Sequence, residues 1–141
     1  MVTYLESPCI GICSTVYGDD ICRGCKRHYL EVIDWNGYLD TQKRIINLRL
    51  QSQIDMIVAQ FIEVTHQDRL KWQLDQVALR PPIYDSPLYW GYELLRLKAK
   101  EIHALSLFGL QATPPYQTLS PNQLLTQIDD KLYQVAKSYF A

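Results

Sequence analysis

No run in this chain approaches the roughly 18 consecutive apolar residues that a membrane span requires, so no membrane partner is expected. Neither sign of charge is in excess. Fourteen Lys and Arg residues stand against fifteen Asp and Glu, and the net charge of -1 exerts no general pull on nucleic acid or on acidic membrane surfaces. With only 6 glycines, scattered among turns, the chain has no phosphate-cradling glycine loop and no nucleophile elbow. No two-histidine helical metal motif is present, no period of about 20 to 50 residues recurs, and no low-complexity tract divides the chain. Residues 1–6 carry neither a basic segment nor the apolar core of an export signal, which sets the expectation of a cytoplasmic protein. With 48% apolar and 21% charged residues among 141, the chain is neither disordered nor fibrous and must bury a real core.

Cysteine is confined to one place. Cys9, Cys13, Cys22 and Cys25 form a Cys-x3-Cys-x8-Cys-x2-Cys cluster, and no cysteine follows. In a reducing compartment disulfides do not persist, so this spacing reads as a metal site rather than as disulfides or free thiols. Gly11 and Gly24 allow each pair to turn tightly as a clip. Between the clips, Tyr17-Gly18-Asp19-Asp20 has the residues of a hairpin turn, with arms at 14–16 and 21–22. A helix over 26–35, stopped by Asn36-Gly37, would turn Tyr29, Leu30, Val32 and Ile33 inward and point its N-terminal amides at the cluster. Four thiolates around one divalent ion leave a charge of roughly -2, which Arg23, Lys26 and Arg27 are placed to compensate. Four available thiolates favour a closed structural site over an open catalytic one. Zinc is the preferred occupant, since the spacing matches neither the bacterial nor the plant-type ferredoxin run; an iron-sulfur cluster is the alternative.

The sequence Ser7-Pro8-Cys9-Ile10-Gly11-Ile12-Cys13, followed by Cys22-Arg23-Gly24-Cys25-Lys26-Arg27, Glu31, Trp35 and a helix opening at Asp40-Thr41, resembles the bacterial domain-of-unknown-function family 1289. The resemblance covers roughly residues 6–50. It implies that the four cysteines are the ligands, that the source is bacterial, and that the iron-sulfur label often given to the family is a live alternative. It carries no activity. Lys26 stands where many members have glycine, a departure that touches no ligand.

Beyond this segment the pattern is helical. Asp40 or Thr41 caps a long helix with Ile46, Leu50, Ile54, Ile57, Val58, Phe61 and Ile62 along one stripe. A restart near Thr65 places Leu70, Leu74, Val77 and Ala78 inward before Arg80-Pro81-Pro82. Ser86-Pro87 opens a central helix that is apolar on several faces and runs to Gly109; 111–118 form a loop; Ser120-Pro121-Asn122-Gln123 opens a final helix with Leu124, Leu125, Ile128, Leu132, Val135, Ala136 and Tyr139 as its stripe. The expected fold class is therefore mostly α, with a small N-terminal four-cysteine metal-binding module, a hairpin plus a helix (residues 1–38), docked through Ile33 and Trp35 on a compact body of about four helices (39–141).

No catalytic residue is expected. A Cys25–His28 dyad would need a thiolate that a metal would occupy, His66 and His103 read as surface residues, and Asp129-Asp130 lacks the partners of a catalytic carboxylate pair. Tyr84, Tyr89, Trp90 and Tyr92 read mainly as core and rim packing, with a protein-recognition surface as the sharper alternative. An RNA contact through Arg23, Lys26, Arg27, Lys43, Arg44 and Arg49 would require those residues to converge despite Glu31, Asp34 and Asp40. The expected function is that of a non-catalytic metal-binding interaction or adaptor module with a protein partner. An iron-sulfur redox protein and an RNA-associated factor are the alternatives.

Overall fold

Apolar residues at helical spacing bury themselves in the computed structural model, which describes residues 2–11 and 13–141; Met1 and Ile12, the latter inside the first cysteine motif, lie outside the described residues. Among the described residues are five α-helices and one two-stranded antiparallel sheet, so the mostly helical expectation is met. Helix α1 spans Tyr29–Ile33, α2 Asp40–Phe61, α3 Gln67–Val77, α4 Pro87–Lys98 and α5 Pro121–Tyr139. Strands β1 (Ile62–Val64) and β2 (Leu110–Ala112) pair with Ile62 opposite Ala112 and Val64 opposite Leu110. No described helix is long and apolar enough to cross a membrane.

Helix α4 is central because it is apolar around most of its circumference. Tyr89, Trp90, Tyr92, Leu94 and Leu95 are all buried, and α2, α3, α5 and β1 pack around it. Ser86 caps it by accepting the Tyr89 N–H, with Pro87 at the first helical position. Helix α5 buries Leu124, Ile128, Leu132 and Ala136, a stripe one face wide, while Tyr139 at its end is exposed. Its start has the reciprocal bonds of a capping box, Gln123 N–H to Ser120 Oγ and Ser120 N–H to Gln123 Oε1.

Several sequence expectations need correction. The α2 helix ends at Phe61, not Ile62, because Ile62 enters β1; the segment expected to be a loop supplies β2. A three-residue strand has too little alternation to be seen in sequence, and its partner is nearly fifty residues away in the chain. Helix α4 stops at Lys98 instead of continuing toward Gly109. Two short 3-10 turns, Ala99–Glu101 and Leu105–Phe108, follow, and Gly109 at φ 74° ends the second. The four aromatic residues offered as a recognition surface lie in the core: Tyr84, Tyr89 and Tyr92 are at most 2% exposed and Trp90 is 8% exposed. Their apolar bulk is worth more in the interior than at the rim.

Candidate metal centre

The chain around the cysteines differs from the hairpin expected from sequence. Ser14–Tyr17 is a 3-10 turn, with Val16 N–H bonded to Cys13 O and Gly18 N–H to Thr15 O, ended by Gly18 at φ 100°. The arms are too short to sustain a ladder, and an isolated bridge joins Ile21 to His28 instead. Helix α1 is also shorter than expected. Tyr29, Leu30 and Ile33 are exposed, Ile33 at 70%, so Ile33 is not the residue that faces the body; Trp35 is buried. The buried side chain of α1 is Glu31, whose carboxylate accepts from both terminal guanidinium nitrogens of Arg49, Nη1 and Nη2, at 2.7 and 2.8 Å. Nor do its N-terminal amides face the cysteines: His28 Nδ1 accepts the Leu30 N–H, and Glu31 Oε1 accepts the His28 N–H. Replacing Glu31 by Gln leaves Arg49 without its anion under the Tyr139 and Phe140 rings, at 4.8 and 5.1 Å. The expected loss is about 2–3 kcal/mol of stability, measured by urea unfolding.

The second clip is formed. Cys22 and Cys25 are both buried, and their sulfurs share a hydrogen bond. The backbone amides of Cys25, Ser14 and Gly24 favour the thiolate form of Cys22. Two backbone bonds lock this loop, Cys22 N–H to Arg27 O and Lys26 N–H to Cys22 O, both at 2.8 Å. Arg27, itself buried, donates Nε–H to Cys25 Sγ at 3.2 Å.

These contacts separate the two thiols chemically. The hydrogen bond from Cys25, reinforced by the backbone amides, lowers Cys22 to about 4 from its ordinary 9.0. Cys25 is pushed upward, first because its proton is held by the Cys22 sulfur and then by burial. The pair therefore holds one proton and one negative charge at neutral pH. Folded-state stabilisation from the lowered Cys22 is complete above pH 9.0, diminishes as pH falls, and is lost below about 4. Metal-free reduced protein is thus expected to show one thiolate by ultraviolet absorption at pH 7, absent in Cys22→Ser; four silent thiols would contradict this.

The first clip is more open. Gly11, at φ 97°, donates its N–H to Cys9 Sγ at 3.4 Å, while Cys13 Sγ meets Thr15 Oγ1 at 2.9 Å. Among the described residues no three His, Cys, Asp or Glu side chains converge as a ready metal cage. The donor chemistry nonetheless suits a thiophilic ion. Cys22 and Cys25 supply two buried sulfurs on one short loop, one of them already met by Arg27. Arg80 holds the other strand, donating to Ser7 O at 3.5 Å and to Cys9 O at 3.0 Å.

Of the three expected compensating cations only Arg27 touches a sulfur. Arg23 lies over the Tyr133 ring at 4.1 Å and pairs with Asp19 at 3.5 Å. Lys26 turns its ammonium toward α4 and α5, reaching Tyr92 OH and Asp129. The basic residues considered for RNA do not form one exposed patch, because Lys26 and Arg27 are buried and Arg49 is paired with Glu31. Sequence reasoning did not single out Arg80 or Arg96 and set Asp129 aside for lack of partners; all three reach this segment from more than fifty residues away, and no local pattern signals such contacts.

Residues 7–53 match the family described as "Protein of unknown function (DUF1289)". The matched segment contains all four cysteines, Glu31, Trp35 and the first half of α2, in agreement with the resemblance read from the motifs. The chain matches no curated protein and no solved structure.

Proposed function

We propose that Cys9, Cys13, Cys22 and Cys25 hold one structural zinc ion, and that the chain is a non-catalytic interaction module for a protein partner in the cytoplasm. The observation that carries this reading is the Cys22–Cys25 clip, where two buried sulfurs sit in a loop locked by the Cys22 N–H to Arg27 O and Lys26 N–H to Cys22 O bonds, with Arg27 donating Nε–H to Cys25 Sγ at 3.2 Å. A divalent cation would displace the remaining thiol protons and neutralise both sulfurs, the condition under which a buried dithiolate is stable. In this reading residues 1–38 act as a metal-ordered module docked on the helical body of residues 39–141. Arg96 and Arg80 support that docking, since each donates to a carbonyl of the cysteine segment.

A surface beside the module supports the interaction role. Val16, Tyr17 and Ile33 are 78%, 86% and 70% exposed, and Val16 and Ile33 line an open groove of about 580 Å³ that Cys13 also lines. Apolar side chains this exposed and this close together mark a contact surface more often than a free one. The RNA reading loses its support, because half of the basic residues it needs are engaged within the fold.

The test is anaerobic purification followed by zinc, iron and acid-labile sulfide analysis per chain, with visible absorption. One zinc per chain and a colourless protein is the expected result. Iron and sulfide with charge-transfer absorption would replace zinc by an iron-sulfur cluster on the same thiolates and make electron transfer the function to test.

A further inference from the structure

Lys26 directly follows the last cysteine and is one of two described non-glycine residues at positive φ, 69°. A lysine there gives up the conformational ease that glycine would have. Its side chain is also buried, 3% exposed as a residue, which is unfavourable for an ammonium unless every proton finds a partner. The partners are present. Nζ donates to Arg23 O, to Gly24 O at 3.3 Å and to Tyr92 OH at 3.4 Å, and it pairs with Asp129 Oδ1 at 3.3 Å. Tyr92 OH donates to the same Asp129 oxygen, and Arg96 Nη1 donates to Gly24 O at 3.1 Å.

One ammonium thus joins two things that are distant in sequence. Arg23 O and Gly24 O are the carbonyls between Cys22 and Cys25, inside the clip loop. Tyr92 lies on α4, and Asp129, 103 positions along the chain, lies on α5. Any change in the loop that moves those carbonyls moves the ammonium, and the carboxylate on α5 must follow or lose its partner. A left-handed backbone and a buried charge at one residue are two unfavourable features whose common result is this link.

We propose that Lys26 is the strut through which occupancy of the Cys22–Cys25 clip is transmitted to α5, so that α5 is the element that reports the metal state to the rest of the molecule. The inference rests on the metal reading above and adds its regulation. Positioning, not ligation, is the role of Lys26: it orients the clip from outside and carries its state outward.

The experiment is amide hydrogen exchange across α5, with and without Zn²⁺, together with Zn²⁺ affinity by chelator competition, on wild type and two variants. Lys26→Met keeps the apolar stem and removes the ammonium. Asp129→Asn changes a partly exposed residue, so it retains folding if the first variant does not. In wild type, Zn²⁺ is expected to slow exchange around Asp129 by about tenfold or more. In each variant that response should fall below about twofold, with Zn²⁺ binding weakened by about tenfold. Lys26→Gly, which relieves the backbone but lacks the strut, should behave like Lys26→Met. A wild type that binds Zn²⁺ with α5 responding equally in the variants overturns the strut and leaves the metal reading intact. A wild type that takes up no Zn²⁺, and no iron with sulfide, overturns the metal reading and the strut with it.

Discussion

Cys22→Ser is expected to lose stoichiometric metal and a large share of folding stability in one step. Cys22 is 1% exposed within the clip, its own N–H and C=O bonded to Arg27 O and Lys26 N–H, and serine cannot provide a thiolate in that position. Because a metal that binds only the folded chain stabilises it by mass action, its loss is worth about 4 kcal/mol when the ion is present at about a thousandfold its dissociation constant. Chelator treatment of wild type should reproduce the loss in thermal stability, while the same treatment of Cys22→Ser should change nothing further. Elemental analysis and thermal unfolding check both halves. A variant that kept its metal, or kept wild-type stability without metal, would remove Cys22 from the ligand set. Cys9→Ser, on the more open clip, should weaken binding less than Cys22→Ser.

Gly109→Ala should be about as damaging for a reason unrelated to metal. Gly109 sits at φ 74°, and a Cβ added there would lie 2.3 Å from His66 O and 3.1 Å from Leu70 N. Both obstacles are backbone at the start of α3, which cannot rotate away as a side chain would. Gly109 O in turn accepts the N–H groups of Thr65 at 2.8 Å and His66 at 3.2 Å, so the displacement would spread into the junction of β1 and α3. Left-handed strain and overpacking together are expected to remove about 3 kcal/mol or more, lowering Tm by about 10 °C. Metal content of the folded fraction should stay at the wild-type level, which separates this failure from that of Cys22→Ser. Gly11→Ala provides a contrast: Gly11 also has a positive φ, 97°, but nothing lies within 4 Å of an added Cβ, so only the conformational penalty applies.

Helical content was legible because it is written locally. The Leu124, Ile128, Leu132 and Ala136 stripe recurs at helical spacing, Ser120 with Gln123 spells a capping box, and Ser86-Pro87 marks a helix start; each is found where the pattern puts it. The four-cysteine cluster and its family resemblance are equally local, and the family match over residues 7–53 agrees with them. Features that depend on pairing across the chain were not legible. The β1–β2 ladder needs both strands to exist, Glu31 reads as a surface acid until Arg49 is seen beside it, and exposed Ile33 reads as core until α1 proves to be little more than one turn. The aromatic set around Ser86 lies in the core, as its main reading had it; side-chain type favours both an interface and a core, and only packing removes the recognition-surface alternative.

By itself the sequence determined the mostly helical architecture, the apolar stripe of α5, the helix starts at Ser86 and Ser120 and the cluster of thiols, since periodicity, capping chemistry and cysteine spacing act over a few residues. Tertiary structure alone decided which cation meets which anion or carbonyl. Arg49 faces Glu31, and Lys26 faces Asp129 across 103 positions. The physical reason is that a buried charge is tolerated only opposite its partner, and the partner is set by where the helices pack.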